Sequence, residues 1–155
     1  MNNLWRTTGV AALAIGMVLA LGACASSGAT GMSYSEVRSL TPELAPGKGR
    51  IYVYRQRALF GNLITPDVTV NGEVVGDSEP GGFFFIDRPA GDYQATAGKA
   101  EDRRAEFSLA PGQSVYVKIS VGGGVVVSHV NADLVTPDAA VAEIYGLSFG
   151  KPKYF

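Results

Sequence analysis

The chain has 155 residues, of which 46% are hydrophobic and 17% charged, and its formal net charge is −1 at pH 7. This near-neutral balance, with no run of five like charges, argues against nucleic acid as a partner. The single cysteine, Cys24, excludes an intramolecular disulfide, so a folded domain must be stabilised by its core alone.

The first 23 residues are organised like a secretory signal peptide. Arg6 supplies the positive charge of the n-region, and an apolar stretch of 15 residues follows from Gly9 to Ala23. That stretch is shorter than the roughly 20 residues that a membrane-spanning helix needs. We therefore predict a cleaved signal over residues 1–23, which leaves twelve basic and fourteen acidic residues and a net charge of −2.

The end of this segment, Leu21-Gly22-Ala23-Cys24, resembles the lipobox of bacterial lipoproteins. The resemblance implies that signal peptidase II recognises the first three residues and that a diacylglycerol is attached to Cys24. Because Ala25 rather than Asp follows, it also implies sorting to the outer membrane, facing the periplasm, or to the cell membrane if the organism is not Gram-negative. A transmembrane anchor and an ordinary secretory signal are the alternatives, but the latter would leave an unpaired thiol in an oxidising compartment.

Residues 24–48 are predicted to form the lipidated N-terminus, a tether and a short helix. The small polar residues from Ala25 to Gly31 suit a flexible tether that lifts the domain off the membrane. Ser33 and Glu36 have the spacing of a capping box, which predicts a helix from Tyr34 to about Leu40.

Residues 49–131 change to a hydrophobic period of two, which is typical of strands with one buried face. The Asn71-Gly72 pair lies between two apolar runs and predicts a hairpin. With turn residues at regular intervals, the segment predicts a mainly β domain: an antiparallel β-sandwich of about 7–8 short strands. Six alternating residues are expected in its core: Ala105, Phe107, Leu109, Val115, Val117 and Ile119.

Residues 132–155 are predicted to form a C-terminal helix and an irregular tail. Thr136 suits the N-cap and Pro137 the first helical position. Gly146 is expected to end the helix.

Three motifs of the β segment carry a family resemblance: the strand Gly49 to Arg55, the Val68–Gly76 hairpin and the Pro89-Ala90-Gly91 turn. Together they resemble a group of uncharacterised bacterial lipoproteins with a β-sandwich like those of PEGA and carboxypeptidase-regulatory-like domains. That group has no established reaction, so the resemblance implies a fold and no catalytic residue.

No catalytic constellation is visible in the sequence. His129 is the only histidine, and the single cysteine, Cys24, is assigned to lipid attachment. We therefore predict no metal site, no cofactor and no enzyme activity. The alternative is an envelope hydrolase in which His129 lies beside a serine and a carboxylate.

Two aromatic segments are candidates for an interaction surface. Tyr52, Tyr54, Arg55 and Arg57 suit a protein interface, a glycan or an anionic lipid headgroup, unless a helix covers the tyrosines. In Phe83-Phe84-Phe85, consecutive side chains must point to opposite faces, so at least one lies outside the sandwich core, under a helix or loop or exposed.

The sequence thus favours an outer-membrane-anchored lipoprotein that displays a small β-sandwich in the cell envelope as a binding or structural module. Its expected partners are the membrane, through the lipid on Cys24, and an envelope protein.

The lipobox resemblance generates the first prediction. Cys24→Ser should accumulate as uncleaved, unlipidated precursor, because the thioether to diacylglycerol requires the cysteine sulfur. Intact mass of the membrane-fraction protein checks this, with Ser26→Ala as a control that should mature normally. A wild-type mature species without added acyl mass would contradict the lipoprotein assignment.

Overall fold

The computed structural model describes residues 28–58, 61–99, 103–123, 128–150 and 152–153. The predicted signal peptide, the lipobox with Cys24, and Ala25 lie outside the described residues. The elements, in chain order, are α1 (Tyr34–Leu40), β1 (Lys48–Arg55), β2 (Asp67–Val70), β3 (Glu73–Asp77), β4 (Gly82–Pro89), β5 (Gly91–Ala97), β6 (Ala105–Leu109), β7 (Ser114–Gly123), β8 (Ser128–Val135), α2 (Pro137–Ile144) and β9 (Ser148–Phe149).

The strands form two sheets that face each other, which confirms the predicted mainly β sandwich with a helix near each end. One sheet has five strands in the order β8-β7-β1-β4-β9, and the other has four in the order β3-β2-β5-β6. The pairing is not wholly antiparallel, because β1 runs parallel to β7 and β4 parallel to β9. These two pairs join strands distant in sequence, whose direction no local turn determines.

The space between the sheets is filled by alternate residues of their strands, including Ile51, Val53 and Phe84. The predicted β2–β3 hairpin is confirmed, with Asn71 in the left-handed region at φ 49°. Of the six predicted core residues, Phe107 alone is only half-buried. It lies on edge strand β6, where its ring stacks on Tyr93 with centroids 6.1 Å apart.

A second core lies on the outer face of the five-stranded sheet, beneath both helices. Its residues come from three strands, the two helices and the segment after α2: Tyr34, Val37, Tyr52, Tyr54, Phe83, Tyr116, Ala140, Ile144 and Leu147. Strand alternation therefore divides the phenylalanine run, with Phe84 between the sheets and Phe83 and Phe85 on the helix side.

The helices begin where the sequence predicts. Ser33 and Glu36 form the reciprocal capping box of α1, and Pro137 occupies the first turn of α2. Two boundaries differ. β8 continues four residues past the predicted domain limit at residue 131, and the tail predicted to be irregular contains β9. A two-residue strand has no periodicity of its own, and its pairing with β4 arises only in the folded chain.

The N-terminal segment approaches one end of the sandwich, which we call the proximal end, where β1 finishes and β4 starts. Ala29 is 3% exposed, and its N–H donates to the carbonyl of Pro80 over 3.3 Å. The N–H of Phe149 donates to the carbonyl of Met32 over 2.7 Å. The described part of the predicted tether, from Gly28 to Gly31, is thus attached to the domain at Ala29, whereas residues 25–27 lie outside the described part of the chain.

The inter-sheet core generates the second prediction. Phe84→Ala should lower the free energy of unfolding by about 3–5 kcal/mol, because it leaves a cavity between the sheets. Leu134→Ala, at a side chain that is 49% exposed on β8, should change it by less than about 0.5 kcal/mol. Urea unfolding measures both, and equal effects would contradict the assigned core.

Candidate functional site: a groove between two helices

The structure places the predicted binding strand in the interior. Tyr52, Tyr54 and Arg55 are 7%, 1% and 2% exposed, whereas Arg57, past the end of β1, is exposed. Alternation also turns Arg55 to the opposite face of the sheet from the two tyrosines. The expectation of an exposed interaction surface on this strand is therefore corrected, because α1 and α2 cover the tyrosines.

Arg55 closes the proximal end of the sandwich. Its guanidinium donates to three backbone carbonyl oxygens, those of Gly61, Ile64 and Ser78, at 2.6, 2.8 and 2.9 Å. Burial lowers the pKa of Arg55, since desolvation disfavours the charged form. These contacts tie the β1–β2 loop to the β3–β4 loop, so the side chain has a structural task.

The covered tyrosines form the base on which the helices sit. Tyr52 stacks on Tyr116 with ring centroids 5.0 Å apart and planes 8° from parallel, and the ring of Tyr34 meets Tyr52 edge-on at 6.1 Å. Burial raises the pKa of Tyr52 and of Tyr116, since desolvation disfavours the charged phenolate. The cluster supports α1 through a packed aromatic contact.

A three-residue polar network fixes α2 above the sheet. The hydroxyl of Tyr54 donates to Glu143 Oε2 over 2.7 Å, and Lys118 Nζ donates to Glu143 Oε1 over 2.9 Å. The hydrogen bonds from Lys118 and from Tyr54 lower the pKa of Glu143. Burial, followed by the Glu143 carboxylate, raises the pKa of Tyr54. The network sets where the helix lies over β1 and β7.

A groove of about 430 Å³ lies between the two helices that cover the strand. Four of its lining residues come from α1 and two from α2 and its C-cap: Tyr34, Ser35, Arg38, Ser39, Val141 and Tyr145. Tyr34 is buried, while Arg38 and Tyr145 are exposed, Tyr145 by 68%. Tyrosine and arginine are among the residues that contribute most to protein–protein binding energy, and Val141 adds an aliphatic side chain to the groove.

A second, more open groove of about 610 Å³ lies across β5 and β6 and includes Asn71. The polar groups here largely bind one another. Ser108 Oγ donates to Asp92 Oδ1 over 2.5 Å, and the Asn71 amide bonds the backbone of Asp92 and Gln94. We regard this groove as the polar outer face of the sheet.

His129 lies exposed on β8, opposite Gly122, and lines neither groove. Within the part of the chain that the structure describes, no group of three or more His, Cys, Asp or Glu side chains could hold a metal ion. Across the same residues, neither helix has the length and apolar character needed to cross a membrane.

Arg38, Val141 and Tyr145 were not singled out from the sequence as candidate site residues. A usable signal was present, because Tyr34 with Arg38, and Val141 with Tyr145, are pairs spaced four apart on helices. Which faces of α1 and α2 lie opposite each other depends on packing between distant segments, so it could not be inferred from the sequence of either helix.

One family model matches residues 45–131, more than half of the chain, and is described as "Protein of unknown function (DUF2846)". The match runs from before β1 into β8, so it covers Tyr52, Tyr54 and Arg55, whereas both helices lie outside it. No curated protein and no solved structure matches the chain.

The Glu143 network generates the third prediction. Glu143→Gln should destabilise the protein at pH 7, because the variant loses the carboxylate that accepts the hydrogen bond from Lys118. Since folding lowers this pKa below its ordinary value of 4.5, the stabilisation is complete above pH 4.5 and is lost as the pH falls through the folded value. The two proteins should therefore converge in acid.

Denaturant unfolding at pH 7, 5, 4 and 3 measures this convergence. Glu106→Gln is the matched control, because Glu106 pairs with Arg104 at the surface and is 64% exposed. A difference between wild type and Glu143→Gln that stays constant over this range would contradict the role assigned to the carboxylate.

Proposed function

The chain belongs to the DUF2846 family of proteins of unknown function, and we propose that it is an outer-membrane-anchored lipoprotein that serves as a binding module. The support for the anchor is the order of n-region, apolar stretch and Leu21-to-Cys24 lipobox. The diacylglycerol on Cys24 supplies two acyl chains, which is what stable anchoring takes. The kinship to PEGA-like domains belongs to the same proposal, and the two-sheet architecture supports it.

The binding site of this proposal is the groove between α1 and α2, and its partner is an envelope protein. The observation that carries it is Tyr145, a large aromatic side chain 68% exposed beside Arg38 and Val141. Val141 and the ring of Tyr145 suit an aliphatic or aromatic side chain of the partner, and the Arg38 guanidinium suits a carboxylate. The partner segment should therefore combine an apolar anchor with an acidic residue.

The hydrolase alternative has less support. A histidine base needs a nucleophile and an orienting carboxylate within hydrogen-bond reach, in a site that excludes water. His129 instead lies exposed on an edge strand. Arg57, the exposed member of the predicted surface, lies at the proximal end and not in the groove.

The groove generates the fourth prediction. Tyr145→Ala and Arg38→Ala should each weaken capture of the envelope partner by about 1–3 kcal/mol, the usual scale for aromatic and arginine anchors. Affinity capture of the lipidated protein from its own envelope, quantified by mass spectrometry, checks this at matched bait levels.

Leu40→Ala is the control, since Leu40 is 69% exposed on α1 but does not line the groove. It should capture as wild type does. If all three variants retain the partner equally, the groove is not the binding site.

A further inference from the structure

The chain enters the folded domain at the proximal end. A Cβ placed on Gly28 would meet the carbonyl oxygen of Pro80 at 2.6 Å and Arg57 Nη2 at 3.2 Å, so the backbone passes close between them. The next residue, Ala29, is buried and bonded to Pro80. The position of Gly28, the first residue that the structure describes, is therefore fixed at the proximal end.

The reach from this point to the lipid is short. Gly28 lies four positions after Cys24 in sequence. A fully extended chain covers at most about 3.6 Å per residue, so Cys24 can lie no more than about 14 Å from Gly28. If Cys24 carries the diacylglycerol of the proposed function, on which this inference rests, Gly28 at the proximal end lies within about 14 Å of the lipid attachment point.

The same end presents an apolar side chain. Leu63 is 91% exposed and Ile64 is 39% exposed in the loop between β1 and β2. Arg55 ties this loop, at Gly61 and Ile64, to Ser78, two residues before Pro80. The loop thus stands beside the entry of the N-terminal chain and is attached to the sandwich.

Charges at this end also permit contact with a lipid surface. Arg57 is exposed next to Gly28, where phosphate oxygens could accept its hydrogen bonds. Two of the nearby carboxylates, Asp67 and Asp77, are paired with Lys153, at 2.6 and 3.1 Å, and the third, Glu79 in the β3–β4 loop, is half-buried. The proximal end therefore presents an exposed cation and an exposed apolar side chain.

We propose that the proximal end is a membrane-contact surface, in which Leu63 inserts into the phospholipid leaflet that holds the acyl chains of Cys24. Lipid anchor and loop then form a two-point attachment that sets the orientation of the domain. β1 and β4, which finish and start at this end, then run away from the bilayer.

The fifth prediction uses tryptophan as a depth probe. The one tryptophan of the chain, Trp5, lies in the predicted signal peptide, so a mature variant carries a single introduced reporter. Leu63→Trp is compared with Leu40→Trp, which replaces a leucine 69% exposed at the end of α1 remote from Gly28. Both lipidated proteins are reconstituted in phosphatidylethanolamine–phosphatidylglycerol vesicles, with and without bromine on the acyl chains.

The Leu63→Trp emission should shift to shorter wavelength and lose most of its intensity in brominated vesicles, while Leu40→Trp should do neither. Equal quenching of the two, or none at Leu63→Trp, would overturn the proposal. Measurement of the intact mass distinguishes failure of the lipoprotein proposal from failure of the membrane-contact surface. An acylated protein without quenching contradicts the membrane-contact surface alone, whereas a protein without acyl mass contradicts the lipoprotein proposal and this inference together.

Discussion

The fold depends on a strand that is buried on both faces. β1 is the middle strand of its sheet, with Ile51 and Val53 on one side and Tyr52 and Tyr54 on the other. A single sheet can cover only one of these faces, so the four-stranded sheet packs on the first and the helices on the second. Burial of apolar surface contributes roughly 25 cal/mol per Å² to stability. Because the domain has no disulfide, its stability depends on this burial, so both the second sheet and the helices are needed to cover β1.

Because β1 is covered on both faces, the candidate binding site lies on the helices and not on the strand. The tyrosines of β1 are used for packing, and the exposed aromatic and cationic groups lie on the helices, at Tyr145 and Arg38. The site stays attached to the sheet through the Glu143 network, whose hydrogen bonds hold α2 in place. The network therefore fixes the α2 side of the groove before a partner binds, which reduces the entropy lost on binding.

The predictable parts of the structure were those with local causes. The capping box at Ser33, the Asn71-Gly72 hairpin and the two-residue period of the strands each follow from interactions within a few residues. The parallel pairs and β9 depend on contacts far apart in sequence, so no local pattern predicts them. Arg55 was predicted from the sequence to lie on an exposed interaction surface. In the structure its guanidinium donates to backbone carbonyls that only the folded loops bring together.

Native-state hydrogen exchange tests most directly whether the helices are a permanent cover of β1. We predict that the amides of Ile144 in α2 and of Tyr52 and Tyr54 in β1 exchange with the same free energy of opening, because losing the cover would expose the aromatic face. If the α2 amides exchange by a separate opening of much lower free energy, while the strand stays protected, the helices are not integral to the fold. The account of the groove would then be contradicted.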